Sequence, residues 1–187
     1  MVRKQYLLPF ILPLASFAAA IGVGACLLRL EAFAAGEPVA FIDALFMSTS
    51  SACVTGLACV DPSQVFNRYG HCVMLALIQL GGLGITAYST LVFYLWTHRV
   101  SLTDRLTLSG MLLNDPSFHL GRFIQRIVFV MLSLELFGAL CLHLLDPERM
   151  DPFNAVFLAV SSFCNAGFAL WPDSLMQWRS CWGVCLT

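Results

Sequence analysis

Charged residues are scarce in this chain: Asp, Glu, Lys and Arg make up 11% of 187 residues, against 59% hydrophobic residues and a mean hydropathy of +0.81. Soluble domains carry about 25% charged residues, so a water-soluble fold is excluded and an integral membrane protein is expected. The reactive constellations of enzymes are missing as well. No CxxC pair or Cys/His cluster is present, the four histidines (His71, His98, His119 and His143) are dispersed, and no paired carboxylates, nucleophile–base pair or phosphate-binding loop occurs. These absences argue against an enzyme, a cofactor, a metal centre of side-chain ligands and a nucleic-acid partner. The eight cysteines form no motif. Cys26, Cys72 and Cys141 lie inside apolar runs, where a thiol behaves as a small hydrophobe, and Cys53 and Cys164 occupy matching turns.

Long apolar runs, in contrast, are abundant. A helix needs about 20 apolar residues to cross a bilayer core, and residues 6–28, 71–96 and 123–145 each supply them. Between them, residues 41–52 and 153–163 are apolar over about half that length. Helices that short are re-entrant or interfacial. The turns after them are expected to face an aqueous path, because non-helical backbone at membrane depth survives only inside protein or beside water. The chain thus divides into a first span, short helix and span (1–98), a cytoplasmic linker (99–122), and a second, incomplete unit (123–187).

Basic residues set the orientation. Arg3, Lys4, Arg99, Arg105, Arg122 and Arg126 flank the long runs on one side, which places the N-terminus in the cytoplasm of a multi-pass protein of the inner (plasma) membrane. Glu31, Glu37, Asp43, Asp61, Asp146, Glu148, Asp151 and Asp173 gather around the short helices on the other side, and an acidic vestibule concentrates cations. A secretory leader ending near Ala32-Phe33-Ala34 is the competing reading of the first run. That run is longer than the ~7–15 residues of such a core, and the same span type recurs 111 residues later.

The short helices and their turns are two copies of one stretch. Residues 44–56 and 155–167 align without a gap at an offset of 111, with identities at Ala44/Ala155, Phe46/Phe157, Ser50/Ser161, Ser51/Ser162, Cys53/Cys164 and Gly56/Gly167. An internal repeat of this kind implies a repeated structural unit. Each turn, Cys53-Val54-Thr55-Gly56-Leu57 and Cys164-Asn165-Ala166-Gly167-Phe168, carries a glycine whose backbone reaches conformations closed to other residues. Consecutive carbonyl oxygens can then point inward and replace an ion's hydration shell. The preceding helix aims the negative end of its dipole at the same place. Asp43 lies in the first turn of one helix, and Asp151-Pro152 reads as N-cap and first-turn proline of the other. For a single copy, an ordinary helix-ending glycine would explain the pattern; two copies in register favour a pore lining.

These residues resemble the Trk/Ktr/HKT superfamily of potassium transporters, whose members look like four fused units, each a span, a pore helix with a filter loop, and a second span. Val54-Thr55-Gly56-Leu57 with Val60-Asp61 resembles the first filter, and Phe163-Cys164-Asn165-Ala166-Gly167-Phe168 the second. Gln79-Leu80-Gly81-Gly82-Leu83-Gly84-Ile85 is similar to the glycine-rich second span of the first unit. Ser101-Leu102-Thr103-Asp104-Arg105-Leu106 and Glu135-Leu136-Phe137-Gly138-Ala139 are also similar, so the resemblance covers nearly the whole chain.

The resemblance implies an all-α integral membrane fold and gradient-driven transport of potassium or sodium through a carbonyl-lined filter, without chemical catalysis. Gly56 and Gly167 would be the filter glycines, with the carbonyls of Val54, Thr55, Asn165 and Ala166 as ion contacts. A single glycine per filter, where tetrameric potassium channels use a Gly-Tyr-Gly run, implies a shorter site and weaker discrimination of potassium from sodium. A cytosolic nucleotide-binding regulatory subunit is the partner it implies, besides the ions and the lipid bilayer.

Three further features carry two readings each. Glu135 is an ionisable group inside a span, which reads as a functional site by default; a hydrogen bond between helices is the favoured reading. Gly81, Gly82 and Gly84 favour close helix packing over a hinge. Arg99, Arg105 and Arg122 fit ordinary positive-inside bias, with anionic lipid or a cytosolic partner as the alternative. Under the 111-residue offset His71 corresponds to Trp182, so the sequence stops six residues into the matching helix with two of four filters present. A fragment of a larger transporter, truncated or frame-shifted, is therefore expected, and a half-size subunit working as a homodimer is the other reading. The alternative function is a non-conducting membrane structural or assembly subunit.

Overall fold

The computed structural model describes residues 3–84 and 120–179. Among these residues the chain forms α1 (Arg3–Arg29), α2 (Phe41–Ala52), the single turn α3 (Pro62–Val65), α4 (Arg68–Gly82), α5 (Leu120–Leu145) and α6 (Pro152–Phe163), with 3-10 turns at Glu31–Phe33 and Met176–Trp178. One isolated bridge, between Ala34 and Phe66, is the extended pairing among the described residues, and the fold there is all-α.

Two apolar runs become long helices. At 1.5 Å per residue the 27 residues of α1 and the 26 of α5 reach about 40 Å, more than the ~30 Å hydrocarbon core. Gln125–Leu145 is long and apolar enough to cross a membrane, the one such segment among the described residues, and Leu14–Arg29 of α1 is a shorter apolar stretch. Phe129, Leu136, Phe137 and Leu144 of α5 stand exposed, a continuous apolar surface that suits hydrocarbon and not water. The half-length helices start at residues 41 and 152, each 12 residues or about 18 Å long.

The second long run differs from expectation at its start and within its glycine run. α4 begins at Arg68 because Asn67 caps it, its Oδ1 accepting the amides of Tyr69 and Gly70 at 2.9 and 3.1 Å. The Nδ2 of Asn67 donates to the carbonyls of Ala32 and Ala34, which ties the loop after α1 to the head of α4. The helix then closes at Gly82 with Leu83 as C-cap, and Gly84 takes φ 75°, a left-handed conformation foreign to a continuous helix. The expected span is thus interrupted within its glycine run. Its remainder, most of the expected linker, and Arg99 and Arg105 lie outside the described residues.

Small residues let the helices approach, as packing without a hydrophobic driving force requires. A β carbon on Gly24 would lie 2.6 Å from Ser48 Oγ and 2.7 Å from Leu77 Cδ1, so α1, α2 and α4 converge there. Ser48 donates to the carbonyl of Ile21 at 2.7 Å. In the second unit Ala139 of α5 packs with Ala155 and Ala159 of α6. Met47, Met74 and Ile78 share one core with Phe157, Val160 and Phe168, which fastens α6 to the first unit. Arg68 completes the joint: its guanidinium pairs with Asp151 and lies 4.8 Å over the Phe153 ring. Asp151 holds the N-cap position of α6 with Pro152 in the first turn, as expected, but its carboxylate goes to Arg68 and makes no capping bond.

Candidate functional site: matched loops after α2 and α6

Both half-length helices unwind in the same way, bond for bond. The amides of Cys53, Val54 and Thr55 reach the carbonyls of Thr49, Ser51 and Ser50 at 2.8, 3.2 and 2.9 Å. Those of Cys164, Asn165 and Ala166 reach Val160, Ser162 and Ser161 at 2.9, 3.0 and 2.6 Å, the same partners 111 residues on. The last two bonds of each set are those of a Schellman motif, which needs a left-handed residue just past the cap. Val54 (φ 54°) and Asn165 (φ 58°) fill that place. Asparagine tolerates it, whereas a β-branched residue there is a genuine outlier that surrounding structure must enforce.

Two residues further on, Gly56 (φ 77°) and Gly167 (φ 74°) are left-handed again, while Thr55 and Ala166 between them are not. Alternation of this kind gathers amides on one side of the chain and carbonyls on the other. The two loops also touch. A β carbon on Gly56 would stand 2.4 Å from the carbonyl oxygen of Ala166, so the first glycine lies against the second loop's backbone. Thr55, Asn165 and Gly167 are exposed, Val54 and Gly56 half-buried, and Ala166 fully buried.

α4 wedges between these loops through two adjacent glycines. A β carbon on Gly81 would fall 2.1 Å from the Ala52 carbonyl and 2.7 Å from Val54 Cγ2; one on Gly82 would fall 2.2 Å from Cys164 Sγ. Gly81 therefore admits the first loop and Gly82 the second, which is the packing role. Gly84 has no atom of the described residues within 4 Å of its would-be β carbon, and its φ of 75° is the feature that calls for glycine.

Glu135 reaches the same spot from α5. Its carboxylate is buried and accepts Gln79 Nε2 at 3.1 and 2.9 Å, with Cys164 Sγ 3.8 Å away. The carboxylate can only face the amide nitrogen, since the amide oxygen would repel it. One buried acid thus links α5, α4 and the second loop. Gln79 was legible as a polar residue in an apolar run but is not singled out by any spacing.

Near the eight acids in sequence stand four arginines, Arg29, Arg68, Arg149 and Arg179, of which Arg68 pairs with Asp151. Several acids are locally engaged: Asp61 caps α3 through Ser63, Asp146 accepts Trp178 Nε1 at 3.0 Å, and Asp151 holds Arg68. The excess is still acidic. Burial and then the neighbouring Asp43 push the Cys59 thiol upward, so it stays protonated there. Among the described residues no three His, Cys, Asp or Glu side chains cluster as a metal site.

Long apolar helices carrying half-length helices with strained terminal loops are the architecture of an all-α membrane protein. The chain belongs to the TrkH family of cation transport proteins, whose profile matches residues 14–186. It is 37% identical over 161 residues to the Ktr system potassium uptake protein B of Bacillus subtilis, covering 83% of this chain and 36% of that one. It is 37% identical over 180 residues to the potassium/sodium uptake protein NtpJ of Enterococcus hirae, covering 94% and 40%. The Ktr system potassium uptake protein B of Vibrio alginolyticus is 35% identical over 168 residues, covering 88% and 37%. The chain therefore spans less than half the length of these relatives, which are named as uptake proteins and not enzymes.

Proposed function

We propose that the chain contributes two carbonyl-lined loops, centred on Gly56 and Gly167, to a path for monovalent cations across the cell membrane, with potassium as the favoured ion and sodium as its competitor. The observation that carries this reading is the bond-for-bond match of the two loops together with the meeting of their glycines. Bare carbonyl oxygens without carboxylates suit a large, weakly hydrated monovalent ion, whereas divalent sites add carboxylates to their carbonyl and water ligands. The α2 and α6 dipoles point their negative ends at the same loops, and the surplus of acids at the outer mouth concentrates cations before entry. The carbonyls of Val54, Thr55, Asn165 and Ala166 are the assigned contacts, and Glu135 holds the loop in place and does not touch the ion. The names of the relatives, potassium uptake and potassium/sodium uptake, agree with this ion class.

Rubidium uptake in cells stripped of their own potassium uptake tests the proposal. Uptake above background that Gly56→Ala abolishes is the expected result. Uptake untouched by Gly56→Ala would sink the filter assignment, and a folded, membrane-inserted chain without uptake would favour a non-conducting structural subunit.

A further inference from the structure

The two loops share their amide bonds but not their exits. Ser50 and Ser161 stand at equivalent places, each accepting the last amide of its Schellman turn on its carbonyl. Their hydroxyls differ. Ser161 Oγ donates to the carbonyl of Phe168 at 2.7 Å and accepts the amide of Phe168 at 2.9 Å, both bonds buried. Ser50 Oγ is buried without a partner, although Leu57 lies the same seven residues ahead. The side chains follow suit: Phe168 is 3% exposed within the core that joins the two units, and Leu57 is 60% exposed. One hydroxyl closes the second loop into a ring across Gly167; the first loop is left open beyond Gly56.

We propose that Ser161 is a positioning residue that fixes the second loop through both polar groups of Phe168, and that the unclasped first loop is the half of the ion path that changes shape. The proposal rests on the cation-path reading above. A buried hydroxyl without a partner is unfavourable, so Ser50 gives the first loop a second conformation to reach, one in which its hydroxyl takes the Leu57 backbone as Ser161 takes Phe168. An ion seated between a fixed wall and a yielding one is selected by the fixed wall, since only a surface that resists collapse penalises a smaller ion. Ser161 therefore bears on discrimination between potassium and sodium without touching either.

Amide hydrogen exchange on the purified chain in lipid nanodiscs reads the clasp directly. The Phe168 amide is expected to be protected and the Leu57 amide to exchange faster. Ser161→Ala should speed Phe168 by about tenfold, the size set by one buried hydrogen bond, with Ser161→Thr restoring protection and Ser50→Ala leaving Leu57 unchanged. Equal protection of Phe168 and Leu57, or acceleration spread evenly over all of α6, overturns the clasp. The second arm is the rubidium-to-sodium preference of uptake in cells lacking their own potassium uptake. Ser161→Ala is expected to lower that preference several-fold at unchanged membrane abundance, and Ser161→Thr to recover it; an unchanged preference overturns the positioning role. Absence of uptake by the unaltered chain counts against the cation path alone, and the exchange arm then decides the clasp by itself.

Discussion

Gly56 faces the carbonyl oxygen of Ala166 so closely that a β carbon on it would stand 2.4 Å away, whereas a β carbon on Gly167 would meet the Cα of Gly56 at an ordinary 3.7 Å. The two glycines look alike in sequence and in φ, yet their surroundings are unequal. Gly167→Ala incurs only the left-handed conformation, about 1–2 kcal/mol. Gly56→Ala incurs the same and also drives backbone into backbone, which no rotamer relieves, so a loss above about 4 kcal/mol is expected. Thermal unfolding in detergent should rank the variants in that order. A larger loss for Gly167→Ala would mean that the loops do not meet as described.

The glycines of α4 should separate in the same assay. Gly81→Ala pushes against the Ala52 carbonyl and is expected to be the most damaging of the three. Gly82→Ala meets the Cys164 side chain, with Sγ at 2.2 Å and Cβ at 2.9 Å. Removing the sulfur with Cys164→Ala should therefore return part of the loss, an interaction of about 0.5–3 kcal/mol in a double-mutant cycle. Gly84→Ala meets no atom of the described residues and has its left-handed φ to satisfy, so about 1–2 kcal/mol is expected. Strict additivity of Gly82→Ala and Cys164→Ala would contradict the contact.

Much of this was legible because the short helices announce themselves twice. α2 covers residues 41–52 and α6 residues 152–163, two apolar runs that each end in a small polar turn, the second opening on Asp151-Pro152. The break in the second long run was harder to see. Gly81, Gly82 and Gly84 signalled close packing, but only the positive φ of Gly84 separates an interruption from a continuous helix, and φ is set by tertiary context. The joint between the units was invisible for a different reason. Arg68 and Asp151 are 83 residues apart, and nothing local tells an arginine which carboxylate it will find. Asp151 accordingly read as a helix cap, which its position is and its side chain is not.

Glu135 and Gln79 give a third test, because the buried carboxylate takes the amide nitrogen on both its oxygens, while Gln79 Oε1 is buried without a partner among the described residues. Removing either partner strands the other, at about 1–3 kcal/mol for a buried polar group. Glu135→Ala and Gln79→Ala should each destabilise by that amount, while the double substitution should lose less than their sum. Glu135→Gln keeps the shape and an acceptor oxygen, so it is expected to fall between the parent and Glu135→Ala. A double variant as poor as the added singles would show that the two side chains act on separate partners, and Cys164, 3.8 Å from the carboxylate, would be the next to examine.

Val54 offers the sharpest contrast between stability and function. A valine at φ 54° is held against its own preference, while the equivalent place in the second loop holds Asn165, a residue that accepts φ 58° readily. Val54→Asn should therefore relieve about 1 kcal/mol of backbone strain, which for a chain of this size raises the unfolding midpoint by about 2–4 °C. Against that stands the packing of Val54 on the shared core and near Gly81, which an amide side chain replaces poorly. A raised midpoint with lowered rubidium uptake and an unchanged preference for potassium over sodium is the expected set of results, since Val54 shapes the yielding first loop and the fixed second loop sets the preference. A lowered midpoint would show that packing outweighs strain, and the valine would then be explained by the core behind it.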